Sequence, residues 1–392
     1  MMTNHIAFYQ FCSAVRRKGA LALCLALCML GLGFAQDHKP IIITFDEPDV
    51  LAGTFTEAFN INRDGAIVGA YLDATTLGPL GFVRYRDGTF RKIDPKGTLG
   101  GVASAINPAG VIAGNWDNST SGVTYTNGFV LEPYNKFTPF DVPGACQGIG
   151  LGTTAWAINP AGATTGYWID CDGFPHGFVR DPGGRITPFD VTPTSPVVWT
   201  FVDAPNAINP DGTIVGWYYD ANFLAHGFVR DPYGRITPFD VTTATPPDPL
   251  PGTTPETGQG TYATGINPDG AIIGYYIDSD YLYHGFLRDK HGKFTTFDVP
   301  VPTTSELRVA SINAAGAITG FYQDEAHTFH GFVRDPDGKI TTIDVTTATP
   351  PDPPAGTGAF QGTTAYAIND AGEITGWYVD VSGIAHGFVR IP

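Results

Sequence analysis

An aspartate followed six residues later by a histidine occurs five times in this chain. A further aspartate lies fourteen residues after four of the histidines, and Asp46 is the counterpart for the fifth. A carboxylate–imidazole–carboxylate cluster can bind a cation or hold the imidazole protonated above its ordinary pKa of about 6.5. The pairs are Asp170/His176, Asp220/His226, Asp278/His284, Asp324/His330 and Asp380/His386, with Asp190, Asp240, Asp298, Asp344 and Asp46 as the added aspartates.

Recurrence in five places argues against catalysis, because a catalytic site is asymmetric and needs to be built only once. We therefore expect these pairs to stabilise each repeat, with cation binding as the alternative. Zinc needs three or four ligands at one point, which equivalent positions on separate repeats do not supply. The acidic runs at 170–173 and 278–280 are similar to parts of calcium loops but lack the remaining ligands. The sequence thus requires no cofactor and leaves calcium open.

Aromatic residues outside the repeated pattern are candidates for an exposed ligand platform. Trp199 lies in a connector, and Tyr281 and Tyr283 lie in a short loop, "SDYLYHG". Aromatic faces suit sugars and apolar ligand patches. By contrast, Trp116, Trp168, Trp217 and Trp377 lie in second strands and are expected in the core. A recurring arginine at the end of the third strand predicts salt bridges; its copies are Arg84, Arg180, Arg230, Arg288, Arg334 and Arg390.

The elements that must position these residues repeat seven times. Each repeat has an apolar stretch ending in Ile-Asn, a turn such as "PDG", a second apolar run, a loop, "HGFVR" or a relative of it, a "DPxG" turn and "ITPFDV" or a relative of it. The runs are short, β-branched and aromatic, which predicts strands. The marker asparagines are 45 to 58 residues apart: Asn62, Asn107, Asn159, Asn209, Asn267, Asn313 and Asn369. Four antiparallel strands in a unit of about 50 residues predict a β-propeller of seven blades.

The two ends of the repeated region predict how the propeller closes. Residues 41–48, "IIITFDEP", match the fourth strand of a repeat, whereas residues 386–392, "HGFVRIP", match the third. Pairing the N-terminal strand with the last blade would complete that blade and remove an open inner edge. The expected fold is therefore all-β, a seven-bladed β-propeller of four-stranded antiparallel blades closed by this pairing.

Residues 1–35 have the order of a secretory signal peptide: Arg16, Arg17 and Lys18, then an apolar run from Ala20 to Phe34. The run is short for a membrane span, so we expect cleavage and a mature domain over 37–392, with a retained anchor as the alternative. Of the 22 Lys and Arg, three lie in this leader, so 19 stand against 38 Asp and Glu, a net charge of −19. That charge excludes nucleic acid as a partner.

Cysteine use agrees with export. Three of the five cysteines lie in the leader, which leaves Cys146 and Cys171. In an oxidising compartment these two are expected to form one disulfide, since both lie in loops at the same face of the predicted propeller. The protein is expected to be secreted, periplasmic or on the cell surface, without a membrane span after cleavage, and monomeric.

The repeat "AINPDGTIVGWYYD…HGFVR" and its six relatives resemble the extracellular HAF-repeat family, named for a His-Ala-Phe at the start of one strand. The resemblance covers nearly all of the mature chain and implies an exported β-repeat protein. Here glycine replaces the alanine of that pattern, as at Gly177 and Gly227, and Leu80 and Asn127 replace the histidine in the first two repeats. The resemblance implies no activity and no catalytic residue.

Three functions remain open after these observations. The first is a binding or scaffolding module that contacts an extracellular protein or polysaccharide through the face carrying the long connectors. The second is a polysaccharide lyase or hydrolase of the propeller type, with one unrepeated acid–base cluster at the central mouth. The third is a calcium-stabilised surface protein without a small ligand. An enzyme is less expected than a binding protein, because most of the Asp and His residues are periodic.

Overall fold

The computed structural model describes residues 39–94, 100–120, 123–148, 151–191, 197–241, 258–300, 306–345 and 361–392. The predicted signal peptide and most of the connector at 242–261 lie outside these ranges. The described residues form 28 strands and no helix. The described residues therefore contain no helix with the length and apolarity needed to cross a membrane. The prediction of an all-β chain is confirmed.

Local turn chemistry explains where the strands begin and end. After each Ile-Asn the chain reverses in a tight turn; in the fourth repeat the Gly212 N–H donates to the Asn209 carbonyl at 3.0 Å. Gly212 has φ +85°, a left-handed conformation that glycine adopts without steric cost. The second turn follows the same pattern, with the Gly234 N–H donating to the Asp231 carbonyl at 3.0 Å. Both turns connect antiparallel strands, and the strands are four to nine residues long.

The strands fall into seven groups of four, which we call units 1 to 7. Unit 1 contains β2 (Thr56–Ile61), β3 (Ile67–Leu72), β4 (Pro79–Arg84) and β5 (Phe90–Ile93). Unit 2 contains β6 (Gly100–Ile106), β7 (Ile112–Thr120), β8 (Val123–Leu131) and β9 (Phe137–Phe140). Unit 3 contains β10 (Gly152–Ile158), β11 (Thr164–Ile169), β12 (Pro175–Arg180) and β13 (Ile186–Phe189). Unit 4 contains β14 (Val197–Phe201), β15 (Ile214–Asp220), β16 (Ala225–Arg230) and β17 (Ile236–Phe239).

The remaining strands have the same order. Unit 5 contains β18 (Gly260–Ile266), β19 (Ile272–Ile277), β20 (Tyr283–Arg288) and β21 (Phe294–Phe297). Unit 6 contains β22 (Glu306–Ile312), β23 (Ile318–Gln323), β24 (Phe329–Arg334) and β25 (Ile340–Ile343). Unit 7 contains β26 (Gly362–Ile368), β27 (Ile374–Val379), β28 (Ala385–Ile391) and β1 (Ile41–Phe45).

Within each unit successive strands pair antiparallel, which confirms the predicted repeated four-stranded sheets. We call the first strand of each unit its inner strand. In unit 7 the fourth place is taken by β1, which pairs antiparallel with β28 from Ile41 opposite Ile391 to Phe45 opposite Gly387. In addition, parallel bridges join units 2 and 3 and units 6 and 7 once each, and units 4 and 5 twice, at Ala225 to Gly260 and Asn206 to Gly265. A further parallel bridge joins Phe55, just before β2, to Ala385 of unit 7.

The marker asparagines do more than shape their own turns. In unit 3, the Asn159 side-chain oxygen accepts the Ala163 N–H at 2.9 Å, while its nitrogen donates to the Asn209 carbonyl of unit 4 at 3.2 Å. The same donor bond links Asn62 to Asn107, Asn107 to Asn159, Asn267 to Asn313, Asn313 to Asn369, and Asn369 to Asn62, at 3.0–3.5 Å. The last of these joins unit 7 to unit 1. The asparagines therefore fix neighbouring units to each other at every contact except that between units 4 and 5, where the described residues show no such bond.

The hydrophobic core lies between neighbouring units. The phenylalanine of the third strand is almost fully buried in every unit; the set is Phe82, Phe129, Phe178, Phe228, Phe286, Phe332 and Phe388. One cluster combines Ala58 and Phe82 of unit 1 with Ala367 and Val389 of unit 7. Others combine units 2 and 3, or units 4 and 5, in the same manner. Because each sheet buries both faces against neighbours, its strands show little polar alternation.

The recurring arginines differ from the prediction of salt bridges. The Arg84 guanidinium carbon lies 4.7 Å from the centroid of Phe45, which belongs to the fourth strand of unit 7. Arg180, Arg230, Arg288 and Arg334 contact Phe140, Phe189, Phe239 and Phe297 of the preceding unit in the same way, at 5.0–5.2 Å. The planar guanidinium lies over a ring face that the neighbouring sheet presents, so the interaction is cation–π between units.

The predicted disulfide is present. Cys146, in the segment that leads into unit 3, is bonded to Cys171, in the loop between β11 and β12, with 4.8 Å between their Cα atoms. The Cys146 N–H also donates to the Ile169 carbonyl at 3.0 Å, which holds the segment against the end of β11. The bond closes a loop of 25 residues.

Candidate functional site

A cavity of about 450 Å³ lies among units 4 to 7. Its lining includes Gly258, just before β18, and Tyr283, the first residue of β20. The cavity therefore begins at the end of the sheets where the connectors enter, and its lining continues along the inner strands to Thr264 and Ala310. Volumes of about 300–1,000 Å³ are typical of small-molecule sites.

Seven of the sixteen described residues that line the cavity are aromatic. Tyr262 of β18 and Tyr275 of β19 are stacked, with centroids 4.7 Å apart and planes 7° from parallel. Trp217 of β15 meets Tyr262 at 5.0 Å in an edge-to-face arrangement. The wall is completed by Tyr219, Phe321 and Tyr366. These rings give the cavity broad apolar faces of the kind that bind sugar rings or cations.

Two charged side chains of opposite sign line the same cavity. Asp203 accepts a hydrogen bond from the Trp217 indole N–H at 3.1 Å. Burial raises the pKa of the Asp203 carboxyl, although the Trp217 bond and the charge of Arg308 oppose the rise. Arg308 donates from Nε to Glu306 at 3.0 Å and from Nη1 to the Tyr275 hydroxyl, and it lies 4.7 Å from the centroid of that ring. Burial lowers the pKa of Arg308 while leaving it a cation.

The tyrosine hydroxyls around these charges stay neutral. Burial is the main cause that raises the pKa of Tyr262 and of Tyr366 far above the ordinary value. The Tyr262 hydroxyl donates to the Gly258 carbonyl and lies 3.2 Å from the Tyr219 hydroxyl. Neutral phenols can both donate and accept, so the wall offers hydrogen bonds of either direction to a ligand.

Unit 4 departs from the repeat and thereby places Asp203 in the cavity. The pairing of Phe201 with Trp217 matches that of Tyr262 with Tyr275 in unit 5. From Tyr262 to the unit's Ile-Asn there are three intervening residues, whereas from Phe201 to Ile208 there are six. The extra residues form a bulge, after which Ile208 bridges to Ile214 as expected. A bulge of this kind redirects side chains, and here it carries Asp203.

The five predicted Asp–His pairs form five separate clusters, and each histidine lies between two aspartates. In unit 5, His284 Nδ1 lies 2.6 Å from Asp298 and Nε2 lies 3.1 Å from Asp278. The other clusters are Asp170–His176–Asp190, Asp220–His226–Asp240, Asp324–His330–Asp344 and Asp380–His386–Asp46, with ring nitrogens 2.8–3.7 Å from carboxylate oxygens. Each imidazole also stacks on a second-strand ring; in unit 5 the ring is Tyr276, at 4.8 Å.

Each imidazole thus has a carboxylate of its own cluster beside each ring nitrogen. Nδ1 is hydrogen-bonded in all five clusters, whereas Nε2 is hydrogen-bonded in units 3, 5 and 6 and lies 3.6–3.7 Å from the carboxylate in units 4 and 7. A metal ion bound to a hydrogen-bonded nitrogen would have to displace that bond. Over the part of the chain that the structure describes, no group of three or more His, Cys, Asp or Glu side chains is arranged to hold a metal ion. In units 3 to 7 the clusters hold the loop between the second and third strands to the end of the fourth strand, which in unit 7 is the N-terminal strand.

Stability should depend on pH through these clusters. Burial lowers the pKa of His226 and His284, but the aspartates outweigh it and the net pKa is raised; for His330 the bond to Asp344 is the largest cause of the rise. A raised pKa contributes stability that is complete below the unfolded value of about 6.5 and is lost as pH rises through the folded value. We therefore expect the melting temperature to fall between pH 6 and pH 9.

The carboxyls give the opposite dependence at low pH. Burial alone would raise the pKa of Asp278, but the hydrogen bonds from the Leu282 N–H and His284 together outweigh burial, so the pKa lies below its ordinary value. The pKa values of Asp170 and Asp380 are lowered for the same reasons. Their contribution is present above about pH 4 and is lost as pH falls through the folded pKa. Differential scanning calorimetry of the wild type and His284→Gln checks both limbs, with the exposed His291→Gln as control. A wild-type melting temperature that rises from pH 6 to pH 9 would refute the assignment.

The three predicted platform residues take different positions. Tyr283 lines the cavity, half-buried. Trp199 is half-buried in β14 and packs against Phe201, Tyr219 and Phe223 at 5.8–6.3 Å. Tyr281 is exposed in the loop between β19 and β20. Of the predicted platform, only Tyr283 is therefore among the described residues that line the cavity.

Tyr281 also has a strained backbone. Its φ is +62°, a conformation that units 3 and 7 assign to Gly173 and Gly383 in the equivalent loops. A left-handed non-glycine residue costs about 1 kcal/mol or more, so Tyr281→Gly is expected to raise the free energy of unfolding by about 1 kcal/mol. Chemical denaturation measures this change. Tyr281→Ala, which removes the ring but keeps the strained φ, is the control; a glycine variant no more stable than the alanine variant would count against the strain.

Sequence reasoning missed the residues that make the cavity unlike the repeat. Asp203 and Arg308 were not singled out, and Trp217 was assigned to the core. The signal was present: "FVDAPNAIN" in unit 4 is longer than "YATGIN" in unit 5, and Arg308 is a lone basic residue in an inner strand. Glu57 occupies the position in β2 that Arg308 occupies in β22, and burial raises the pKa of its carboxyl.

Comparison with known proteins supports the fold and assigns no family. No protein-family model matches the chain, and a search of curated proteins gave no match. The structure is similar to that of a prolyl endopeptidase at 12% identity and a TM-score of 0.50, over 88% of this chain and 48% of that one. Acylaminoacyl peptidase from Pyrococcus horikoshii matches at 11% identity and TM-score 0.46, over 82% of this chain and 49% of that chain.

The BP39L lectin from Burkholderia pseudomallei also matches, at 10% identity and a TM-score of 0.48, over 85% of this chain and 94% of that one. This chain spans about half the length of the two peptidases. At such identities the likeness concerns the fold alone, which is of the repeated-sheet β-propeller type.

Proposed function

We propose that residues 37–392 form an exported, monomeric, seven-bladed β-propeller of the HAF-repeat kind. Seven units of four strands support the blade number. Closure is supported by the bond from Asn369 to the Asn62 carbonyl, by the pairing of β1 with β28, and by an ion pair between Arg86 of unit 1 and Glu373 of unit 7 at 2.8 Å. A closed ring leaves no inner sheet edge to aggregate.

We propose further that this propeller is a binding module for a saccharide, which enters the cavity among units 4 to 7. The observation that carries this proposal is the convergence of unrepeated residues on one cavity: stacked aromatic faces beside Asp203 and Arg308. Sugar rings present C–H faces that stack on aromatics, and hydroxyls that bond to carboxylates, guanidinium groups and phenols. The clusters of aspartate and histidine recur around the units and are assigned a structural role.

A hydrolase is a second candidate because of one specific feature. Burial raises the pKa of Asp203 and of Glu57, and a general acid of a glycosidase requires a carboxyl whose pKa is raised. A second carboxyl would then serve as base or nucleophile. We favour binding, because Asp203 is already fixed by Trp217 and seven of the sixteen described lining residues are aromatic.

The test is retention of purified residues 37–392 on immobilised glycans, in calcium and again in EDTA. We expect one glycan class to be retained in both conditions, without new reducing ends. New reducing ends would favour the hydrolase, and loss of retention in EDTA would favour a calcium-dependent protein. No retention in either condition would reject the saccharide and leave an extracellular protein as the partner to seek.

A paired substitution locates the site. Arg308→Gln should weaken glycan binding about ten-fold or more, because a hydrogen bond to a charged group contributes about 1.5–3 kcal/mol. Arg235→Gln removes an exposed arginine from the turn between β16 and β17 and is expected to bind as the wild type does. Equal binding by both variants, with unchanged melting temperatures, would place the glycan elsewhere.

A further inference from the structure

Asp203 lines the cavity without a direct ion pair. Of the described residues that line the cavity, Arg308 is the only cation, and its ion pair is with Glu306 at 3.0 Å. Asp203 forms no ion pair within the described part of the chain; its side-chain donor is the neutral Trp217 indole. The charge of Arg308 acts on Asp203 from beyond ion-pair distance, so this carboxylate has no direct cationic partner.

We infer that the ligand presents a protonated amine to Asp203, so that the saccharide of the proposed function contains unacetylated hexosamine units. This inference rests on the proposed saccharide binding and names the class of sugar. A charged amine would supply the partner that Asp203 lacks. A uronate would instead bring a like charge to that carboxylate, which is costly in a site partly removed from water.

The aromatic wall suits the same group. Ring faces carry partial negative charge and attract a cation within about 6 Å of the centroid. The protein already shows this on the same wall, since the Arg308 guanidinium lies 4.7 Å from the centroid of Tyr275. Trp217 and Tyr262 lie beside Asp203 and Tyr275 and extend the wall. A second cation therefore finds a carboxylate and aromatic faces together.

The charge of the whole chain acts in the same direction. The predicted mature domain carries a net charge of −19, which raises the local concentration of cationic ligands and lowers that of anionic ones. This contribution is not specific to the cavity, and salt screens it over about 10 Å at 0.1 M ionic strength. The cavity's own contribution is thus distinguished by a substitution at Asp203 and not by salt alone.

The experiment is isothermal titration of residues 37–392 with three oligomers of equal length: glucosamine, N-acetylglucosamine and a uronic acid. At pH 6 we expect the glucosamine oligomer to bind about ten-fold or more tightly than the acetylated one, and the uronate oligomer most weakly. At pH 9, where the amines are deprotonated, the preference should disappear. Asp203→Asn keeps an acceptor for Trp217 but removes the charge, and should abolish the preference at pH 6.

The matched control is Asp211→Asn, which removes an exposed carboxylate from the turn that precedes β15 in the same unit. It changes the net charge equally and should keep the preference. Equal affinities for the glucosamine and acetylated oligomers, or a preference that survives Asp203→Asn, would overturn the inference while saccharide binding stands. Binding of choline that Asp203→Asn abolishes, with no oligomer bound, would support the cation site and reject the saccharide. Absence of binding by glucosamine oligomer and choline alike would overturn the inference.

Discussion

A chain that begins at residue 47 is expected to lose more stability than any single substitution would cost. Removal of β1 leaves the backbone groups of β28 unpaired along an exposed edge. It also removes Phe45, whose ring lies 6.3 Å from Phe82 and 6.0 Å from Phe90. Truncation of a fully buried phenylalanine costs about 3–5 kcal/mol; Phe45 is half-buried, so the loss of its ring accounts for less than that. With the lost strand pairing, we expect a loss of about 5 kcal/mol or more, which is comparable to the whole stability of many domains.

Two further contacts of β1 and the residue after it contribute to this effect. Arg84 lies over the Phe45 ring at 4.7 Å, and Asp46 accepts from His386 Nδ1 at 2.8 Å. Loss of Phe45 would leave a partly buried guanidinium without its aromatic partner. His386 would keep only Asp380, 3.6 Å from Nε2. Both ends of the β1 pairing would therefore be disrupted together.

Urea denaturation of residues 37–392 and 47–392 measures the difference. A chain over 40–392 removes only residues before β1 and should match the longer one. A synthetic peptide of residues 39–47 added to the truncated chain should restore part of the stability, in proportion to its concentration. A loss of about 1 kcal/mol in the free energy of unfolding lowers the melting temperature of a large domain by roughly 2–4 °C. If the melting temperatures of the truncated and full chains differed by less than about 2 °C, β1 would contribute little to stability.

Replacing Asn313 with alanine is expected to have the second largest effect. The buried Asn313 side chain accepts the Ala317 N–H at 2.9 Å and donates to the Asn369 carbonyl at 3.1 Å. Alanine would leave both of those backbone groups without this partner. The Asn369 carbonyl would keep its bond from the Gly372 N–H at 3.0 Å, whereas the Ala317 N–H would lose its side-chain acceptor. A buried group left unsatisfied costs about 1–3 kcal/mol and a lost hydrogen bond about 1 kcal/mol, so we expect the free energy of unfolding to fall by about 2–4 kcal/mol.

Asn209 offers a matched control for the contact between units. It accepts the Thr213 N–H at 2.9 Å and is as buried as Asn313, yet it makes no donor bond to unit 5 in the described structure. Aspartate in either place keeps the acceptor and loses the donor. Equilibrium unfolding should therefore show a larger loss for Asn313→Asp than for Asn209→Asp. Equal losses would mean that the bond between units contributes nothing measurable.

The repeated sheets could be predicted because their determinants are local. Turn residues such as Gly212 and Gly234 and short β-branched runs define hairpins within about 50 residues of sequence. The pairing of Cys146 with Cys171 followed from the same order of strands. The spacing of Asp278 and His284 indicated a contact across one loop, which the structure confirms at 3.1 Å.

Contacts between units were less visible in the sequence. Asn313 was recognised as a turn marker, but its partner, the carbonyl of Asn369, is a backbone group 56 residues away. The sequence predicts salt bridges for the arginines, because a single repeat does not reveal that the fourth strand of the preceding unit places a phenylalanine ring beside each guanidinium. Such contacts depend on the register between sheets, which no residue of one repeat encodes alone.

The charged residues of the cavity could not be predicted because they lie where the repeat is broken. Trp217 has the same second-strand position as Tyr275 of unit 5 and Phe321 of unit 6, and all three rings line the cavity. The insertion after Phe201 adds Asp203 to a wall whose rings occupy a repeated position. In the sequence an insertion appears only as a longer spacing between two repeated residues. Where the inserted side chains point depends on the cavity among the neighbouring units, which the sequence does not show.

The pairing of β1 with β28 also constrains the order in which the protein can fold. Asp46 and His386 are 340 residues apart in sequence, so β1 is synthesised long before its partner exists. Units 2 to 6 pack against neighbours close in sequence and can form as they emerge, whereas unit 1 packs against unit 7 and the seventh sheet also needs β1, both contacts of very high sequence separation. Until unit 7 exists, β1 is an unpaired strand of five residues, "IIITF", with strong β propensity and no charge. If the chain is exported as proposed, this interval is when aggregation would compete with folding.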